Sequence, residues 1–191
     1  MNDNKQLWML VGGNGAGKST FFDLFLKPKG ILFINADQIA QSLDKKNTEQ
    51  ASYMAAKIAE RLREDLLFKG ISFCFETVFS HPSKIDFMAE AKAQGYTVIL
   101  VFIHLHNDKL NQARVAQRVS QGGHSVPTEK IISRIPRTLD HVRRSIHLAD
   151  ETYILDNSLI DDPFRQVAVI KAGITELKIA ELPDWSEVIL N

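Results

Sequence analysis

The sequence predicts an α/β fold of three layers, in which helices cover both faces of a mostly parallel five-stranded sheet. Apolar runs alternate along the chain with segments of helical periodicity. The runs are hydrophobic on both faces, which is typical of strands in a parallel sheet that is covered on both sides. A chain of 191 residues, 45% of them hydrophobic, is long enough for one such domain with a substantial core.

The order of the elements follows from the apolar runs and the periodic segments between them. Strands are predicted at 7–11, 30–35, 71–76, 96–105 and 151–157. Helices are predicted between them at 19–26, 47–70, 81–95, 107–123 and 126–150.

Particular residues mark the ends of these helices. Thr48 is the predicted N-cap of the long amphipathic helix, and Gly70 is its stop. Pro82 at an early position and Gly95 after the last turn bound the next helix. Pro136 predicts a kink in the helix that contains it, because proline removes a backbone hydrogen bond.

The pattern changes in a C-terminal extension at about 159–191. Two short runs at 164–173 and 174–180 predict an antiparallel pair of strands, and 183–190 predicts a terminal helical turn. No linker composition separates this extension from the rest, so the whole of 1–191 is expected to form a single domain.

The composition bounds the partners and the compartment. The formal net charge is zero, so nothing global indicates a nucleic-acid or membrane partner, and any anion site must be local. The single cysteine, Cys74, lies in an apolar run and is expected to be a buried thiol. No apolar stretch reaches the roughly 18 residues of a membrane helix. The N-terminus has no signal-peptide pattern, so a cytoplasmic protein is expected, although export without a classical signal stays open.

The segment between the first strand and the first helix reads GGNGAGKST. Gly12, Gly17, Lys18 and Ser19 fit the phosphate-binding pattern G-x-x-x-x-G-K-[ST]. Glycines let backbone N–H groups converge on a phosphate, the lysine reaches the β- and γ-phosphates, and the serine supplies an oxygen to Mg²⁺. The strand before it and the helix after it argue against an incidental glycine-rich turn. The predicted ATP-binding residues here are Gly12, Gly13, Asn14, Gly15, Ala16, Gly17, Lys18, Ser19 and Thr20.

Two acidic residues follow later strands of the predicted parallel sheet. Ligands of such sheets bind at the carboxyl ends of the strands. Asp37 could accept a proton from a substrate hydroxyl there, or it could simply cap the helix that begins near Gln38. Glu76 could hold Mg²⁺ or bind an acceptor hydroxyl, together with Thr77, or it could be a solvated residue at a strand end.

A basic segment at about 108–140 is predicted to be a lid over this site. Arg114 and Arg118 are four residues apart and share a helix face, and Gly122 and Gly123 supply a hinge. Such a segment could bring a cation onto the transferring phosphoryl group, or it could be a solvated basic face. His124 and Arg134 lie beyond the hinge as candidate substrate and ATP contacts. Arg143 and Arg144 read as plain surface.

The phosphate-binding loop by itself does not name a reaction. GTP switches also use it, but they need an N-K-x-D guanine-reading motif, which this sequence lacks. Motor ATPases use it too, but they usually show paired acids at a strand end. The acids at the strand ends favour a small-molecule kinase over a regulatory ATPase that has no acceptor, because pure nucleotide binding does not need Asp37.

The combination of motifs resembles the zeta-toxin family of P-loop kinases over about 7–158. The pieces that carry the resemblance are GGNGAGKST, INADQIA, FETVFS, GYTVILVFIHL, ARVAQRVSQGGHSVP, IISRIPR and ILDNS. The resemblance implies a kinase fold, ATP with Mg²⁺, and transfer to a hydroxyl of a small molecule. Zeta toxins proper phosphorylate the sugar of UDP-N-acetylglucosamine, so a nucleotide sugar of this kind is the candidate acceptor. It also implies a small antitoxin as a possible partner. A metabolic or antibiotic-directed kinase is the alternative.

The resemblance also implies roles for individual residues. Lys18 and Ser19 would lie at ATP and Mg²⁺, and Asp37 would be the general base. Glu76 would lie near the acceptor or the metal, and Arg118 would contact the triphosphate. The family has a second arginine before a Thr-Pro pair, where this chain reads GGHSVP, so His124 stands near that place and Arg134 is a possible substitute.

Overall fold

The computed structural model describes residues 5–43, 48–121 and 126–190. Its strands are β1 Gln6–Val11, β2 Leu32–Ile34, β3 Phe73–Thr77, β4 Thr97–His104, β5 Glu151–Asp156, β6 Arg165–Lys171 and β7 Ile174–Leu177. Its α-helices are α1 Lys18–Phe21, α2 Ala36–Leu43, α3 Thr48–Phe68, α4 Ser83–Ala93, α5 Asp108–Ser120, α6 Thr128–Ser145 and α7 Asp184–Leu190.

The seven strands form one sheet in the order β2-β3-β1-β4-β5-β6-β7. The first five strands in this order are parallel, and β6 and β7 add to β5 in antiparallel pairs. The predicted α/β fold with a mostly parallel sheet and an antiparallel C-terminal addition is therefore confirmed. Short loops after β5 and β6 let the chain reverse direction, whereas each parallel pair needs a helical crossover.

The register brings the carboxyl ends of the central strands to one edge. Val11 at the end of β1 pairs with Thr77 of β3 on one side and with Phe102 of β4 on the other. The loops that follow these strands therefore meet at one edge of the sheet, which is where parallel sheets bind their ligands.

Hydrophobic residues cover both faces of the sheet, as the two-sided apolar strands predict. One layer packs Met9, Phe75 and Phe102 against helices that include α7. The other packs Leu10, Cys74, Ile103 and neighbours beneath α1. Cys74 is buried, as expected. No helix in the described part of the chain has the length and apolar character needed to cross a membrane.

Three helices add detail to the predicted pattern. The helix after the loop is regular only as α1, and then widens into a π-helical turn, Phe22–Leu26, and a 3₁₀ turn, Lys27–Lys29. Helix α6 runs without interruption through Pro136, as the single helix predicted there, and the kink expected at this proline stays a prediction. Helix α3 begins at Thr48, but the side chain of Thr48, and with it the predicted cap, lies outside the described residues.

Candidate active site

The glycine-rich loop joins β1 to α1 at the sheet edge just described. Gly12 and Gly17 both have positive φ, 153° and 101°. A Cβ on Gly12 would lie 2.2 Å from the carbonyl oxygen of Ile103, and one on Gly17 would lie 2.5 Å from Nδ2 of Asn157. Neither position tolerates a side chain, so the loop needs glycine for close packing as well as for backbone conformation.

Lys18 is buried at the first position of α1. Its Nζ donates hydrogen bonds to the carbonyl oxygens of Gly12 and Gly13, at 3.0 Å each. Burial lowers the pKa of Lys18, the negative charges of Glu76 and Asp37 oppose that shift, and the positive charge of Arg118 adds to it. The two acids and the arginine are therefore close enough to Lys18 to form one electrostatic unit.

The next residue, Ser19, meets the end of β3. Its hydroxyl donates to Oε2 of Glu76 at 2.6 Å. The alternative in which Glu76 is a solvated residue at a strand end is wrong, because Glu76 is partly buried and its carboxylate is hydrogen-bonded to Ser19 of α1. A hydroxyl oxygen beside a carboxylate offers the hard oxygen ligands that Mg²⁺ prefers, so the residues present fit this ion.

Asp37 lies in the first turn of α2, and Asn35 caps that helix. Oδ1 of Asn35 accepts the backbone N–H groups of Asp37 and Gln38, at 2.8 and 3.2 Å. The alternative in which Asp37 is the cap is therefore wrong, and its carboxylate is left to line the cavity. The sequence contained the signal for Asn35, since asparagine is as good a cap as aspartate.

Two arginines of α5 face the loop from the other side. Arg114 and Arg118 both line the cavity, as their spacing predicts. Nη2 of Arg114 donates to the backbone carbonyl of Asn157 at 2.9 Å, and burial lowers its pKa. Asn111, on the same helix, donates from Nδ2 to the carbonyl of Asn14 at 2.7 Å, which fixes α5 to the loop.

Helix α6 brings two further cations to the cavity. Arg134 was expected here, whereas Lys130, four residues earlier on the same helix face, was not. The hinge glycines, Gly122 and Gly123, and the candidate substrate contact His124 lie outside the described residues.

These side chains surround one cavity of about 1040 Å³. The predicted residues that line it are Asn14, Gly15, Gly17, Lys18, Ser19, Thr20, Asp37, Glu76, Thr77, Arg114, Arg118 and Arg134. Gly12, Gly13 and Ala16 are not among the lining residues, and the carbonyls of the two glycines bind Lys18 instead. The roles predicted for all of these residues stay predictions.

Asn157, at the end of β5, is a buried residue of the site that sequence reasoning did not single out. Its Nδ2 donates to the carbonyl of Ala16 at 2.8 Å, and its Oδ1 accepts from the N–H of Phe164 at 3.2 Å. With the Arg114 contact, Asn157 joins the loop, α5 and the segment before β6. Its position directly after a strand of the parallel sheet was the available signal.

Phe164 forms an apolar wall of the same cavity, together with Pro163 and Leu24. Its ring packs edge-on against Phe21 at 5.5 Å and Phe25 at 5.8 Å between ring centroids. Apolar and aromatic walls with a few polar groups are typical of pockets that bind small molecules and cofactors.

A family model described as zeta toxin matches residues 2–171, which is most of the chain. The chain belongs to the zeta toxin family. The predicted resemblance is thereby confirmed, and the region of β7 and α7 lies beyond the match.

Relatives of this zeta toxin family member include a protein of Haemophilus influenzae described as uncharacterized. The two are 32% identical over 129 residues, which is 64% of this chain and 91% of the other.

Two solved structures show the same fold. A chain of the AvrRxo1-ORF1:-ORF2 complex with ATP has a TM-score of 0.77 at 19% identity, covering 98% of this chain. This chain spans only 64% of the length of that one. A structure of the PezAT toxin–antitoxin system of Streptococcus pneumoniae has a TM-score of 0.67 at 19% identity, covering 88% of this chain and 72% of that one.

Proposed function

We propose that the protein is an ATP-dependent phosphotransferase that moves the γ-phosphoryl group of ATP to a hydroxyl of a small molecule. The observation that carries this proposal is the convergence of Lys18, the Ser19–Glu76 pair and Asp37 in one cavity. Phosphate-binding, metal-binding and proton-accepting chemistry are all needed for transfer to an alcohol, and these residue types supply them.

The phosphate half of the cavity would bind the triphosphate. Loop N–H groups and the N-terminus of α1 favour anions. Lys18 would exchange its bonds to the loop carbonyls for phosphate oxygens. The segment from Pro163 to Phe164 and Leu24 supplies an apolar wall that suits a nucleobase. Arg118, whose charge acts on Lys18 and which lines the same cavity, would contact the γ-phosphate.

Ser19 and Glu76 would hold Mg²⁺, with no further protein ligand required, because Mg²⁺ usually takes one or two protein groups beside phosphates and water. When bound, the ion neutralises charge that develops on the β- and γ-phosphates. Glu76 also fixes the orientation of the Ser19 hydroxyl through their 2.6 Å hydrogen bond.

Asp37 would take the proton of the acceptor hydroxyl as its oxygen bonds to the γ-phosphorus, and ADP would leave. The carboxylate of Asp37 is not needed to cap α2, since Asn35 caps that helix.

The acceptor is proposed to be a nucleotide sugar such as UDP-N-acetylglucosamine. Support comes from the family and from the size of the cavity, about 1040 Å³, which leaves room beside ATP. Lys130 and Arg134 on α6 could pair with the diphosphate of such an acceptor. A small antitoxin is the proposed partner, because the PezAT structure is of a toxin–antitoxin system and the AvrRxo1 structure contains ORF1 together with ORF2.

Mass spectrometry of the protein incubated with MgATP and a panel of acceptors tests this proposal. The panel should contain UDP-sugars, free sugars and aminoglycosides, with Asp37→Asn as the inactive control. We expect one phosphorylated nucleotide sugar, formed in equal amount with ADP. Phosphorylation of a free sugar or an aminoglycoside alone would replace the proposed acceptor class, and no phosphorylated product with any compound would argue against transfer.

A further inference from the structure

The loop between β3 and α4 has an unusual backbone at Phe79. This residue has a φ of +64°, in the left-handed region that bulky residues rarely adopt. Its ring is buried, and its N–H donates to Oγ1 of Thr77 at 3.0 Å. A conformation of this kind persists only where the surroundings fix it. Something must therefore hold the loop that directly follows Glu76 and Thr77.

Two side chains of α6 hold that loop through hydrogen bonds to two consecutive backbone carbonyls. The Thr138 hydroxyl lies 2.8 Å from the carbonyl oxygen of Val78, and Nδ1 of His141 lies 2.8 Å from that of Phe79. Both side chains belong to buried residues, 2% and 8% exposed. Because the carbonyl of Phe79 can only accept, His141 must carry its proton on Nδ1.

The Thr138 hydroxyl also lies 2.9 Å from the carbonyl of Arg134. That carbonyl already has the helical N–H of Thr138 as its donor. The single hydroxyl proton is therefore better used on Val78, which lies in a loop and has no helical donor.

The same helix carries cations into the cavity. Arg134 and Lys130 line it, one and two turns before Thr138 respectively. At the other end of the loop, the carbonyl of Thr77 accepts the N–H of Gly12 at 3.3 Å. Helix α6, the β3–α4 loop and the phosphate-binding loop are thus connected in series by hydrogen bonds.

We propose that Thr138 and His141 are positioning residues that lock the β3–α4 loop to α6. They hold Glu76 and Thr77 at a fixed position relative to Lys130 and Arg134 of α6 during transfer. This inference rests on the proposed function and extends it to residues that do not line the cavity. Loss of the lock should impair transfer more than ATP binding, because the nucleotide is bound chiefly by the loop after β1. A displacement of about 1 Å at a reacting group can cost about 10²-fold in rate.

Substitutions that keep volume and remove only the donor test the proposal. Thr138→Val and His141→Phe should lower the rate constant of transfer by at least about tenfold while the KM for ATP stays within about twofold. ATP hydrolysis without transfer should rise as a share of turnover. Thr138→Ser keeps the hydroxyl and should restore the ratio of transfer to hydrolysis.

Ser145→Ala is the matched control. Its hydroxyl is buried in the same helix but donates within α6 to the carbonyl of His141. This variant should keep the wild-type ratio even if its melting temperature falls. The inference is overturned if both Thr138→Val and His141→Phe keep the wild-type ratio of transfer to ATP hydrolysis. If Thr138→Val does not fold, the ratio measured for His141→Phe decides alone.

Hydrogen exchange separates this inference from the proposed function. A non-hydrolysable ATP analogue with Mg²⁺ should slow exchange over 77–80 in the wild type and in Ser145→Ala, but not in Thr138→Val. If the wild type phosphorylates no acceptor, the proposed function fails while the exchange experiment still decides the inference. An equal response to nucleotide in wild type and Thr138→Val contradicts it.

Discussion

Asp37→Asn distinguishes two roles that an aspartate at the start of a helix can have, that of a general base and that of a helix cap. If Asp37 capped α2, the change would still conserve stability, because asparagine caps as well as aspartate. The structure gives the cap to Asn35, which binds two N–H groups, so Asp37→Asn should leave the melting temperature nearly unchanged. Asn35→Ala is the reciprocal variant and should cost about 1 kcal/mol of folding stability.

The loss of activity in Asp37→Asn should be large. General-base catalysis contributes about 10²–10⁴-fold, so the transfer rate should fall by at least ~10²-fold, which corresponds to about 2.7 kcal/mol in the barrier. The variant also loses a negative charge that raises the pKa of Lys18 against the effect of burial. The pKa of Lys18 should fall further, so the alkaline limb of the ATP-binding profile should move to lower pH.

The assay is a coupled measurement of ADP release with the acceptor present, together with nucleotide binding between neutral and alkaline pH. Asp23→Asn in the π-helical turn after α1 is the matched control, because this exposed carboxylate pairs with Lys27 away from the cavity. Its transfer rate and ATP-binding profile should match those of the wild type. A wild-type transfer rate in Asp37→Asn would refute the role of Asp37 as general base. If the pH dependence of ATP binding is the same as in the wild type, the charge of Asp37 does not act on Lys18.

Three further predictions concern the nucleotide side of the cavity, and a fourth concerns its scaffold. Lys18→Ala should nearly abolish ATP turnover while circular dichroism shows an intact fold, because Lys18 is expected to contact the β- and γ-phosphates; unchanged turnover would exclude that contact. Glu76→Gln should raise the Mg²⁺ concentration needed for half-maximal activity, since it removes a charge beside Ser19; a Mg²⁺ titration identical to wild type would contradict this. Arg118→Ala should lower turnover at least ~10²-fold, below the arginine-finger range, whereas Arg143→Ala, an exposed partner of a surface ion pair, should change almost nothing; similar activities of the two variants would contradict the difference. Asn157→Ala should raise the KM for ATP and cost about 1–3 kcal/mol of stability by leaving buried groups without partners; calorimetry and steady-state kinetics check both, and a wild-type KM would remove Asn157 from the nucleotide site.

Much of the fold could be predicted because its signals are local. Apolar strands with glycine or proline at the helix ends fix the alternation of β and α, and the parallel pairing follows from it. The same logic predicted that Asp37, Glu76 and Thr77 would meet the phosphate-binding loop, since the ends of parallel strands share one edge.

The parts that could not be predicted depend on contacts between distant residues or on a choice between equal neighbours. Asn35 and Asp37 are both good caps, and only the structure shows that Asn35 accepts the two N–H groups. Asn157 reaches Ala16 across 141 residues of sequence, so its role has no local pattern.

The central claim is that this cavity transfers the γ-phosphoryl group of ATP to a hydroxyl of a nucleotide sugar, and ³¹P NMR of a single reaction tests it most directly. The protein, MgATP and UDP-N-acetylglucosamine are followed over time beside a sample without acceptor. The account predicts a new phosphomonoester signal that grows in equal amount with ADP only when the acceptor is present. ADP and inorganic phosphate appearing at the same rate in both samples, with no new phosphomonoester, would contradict it.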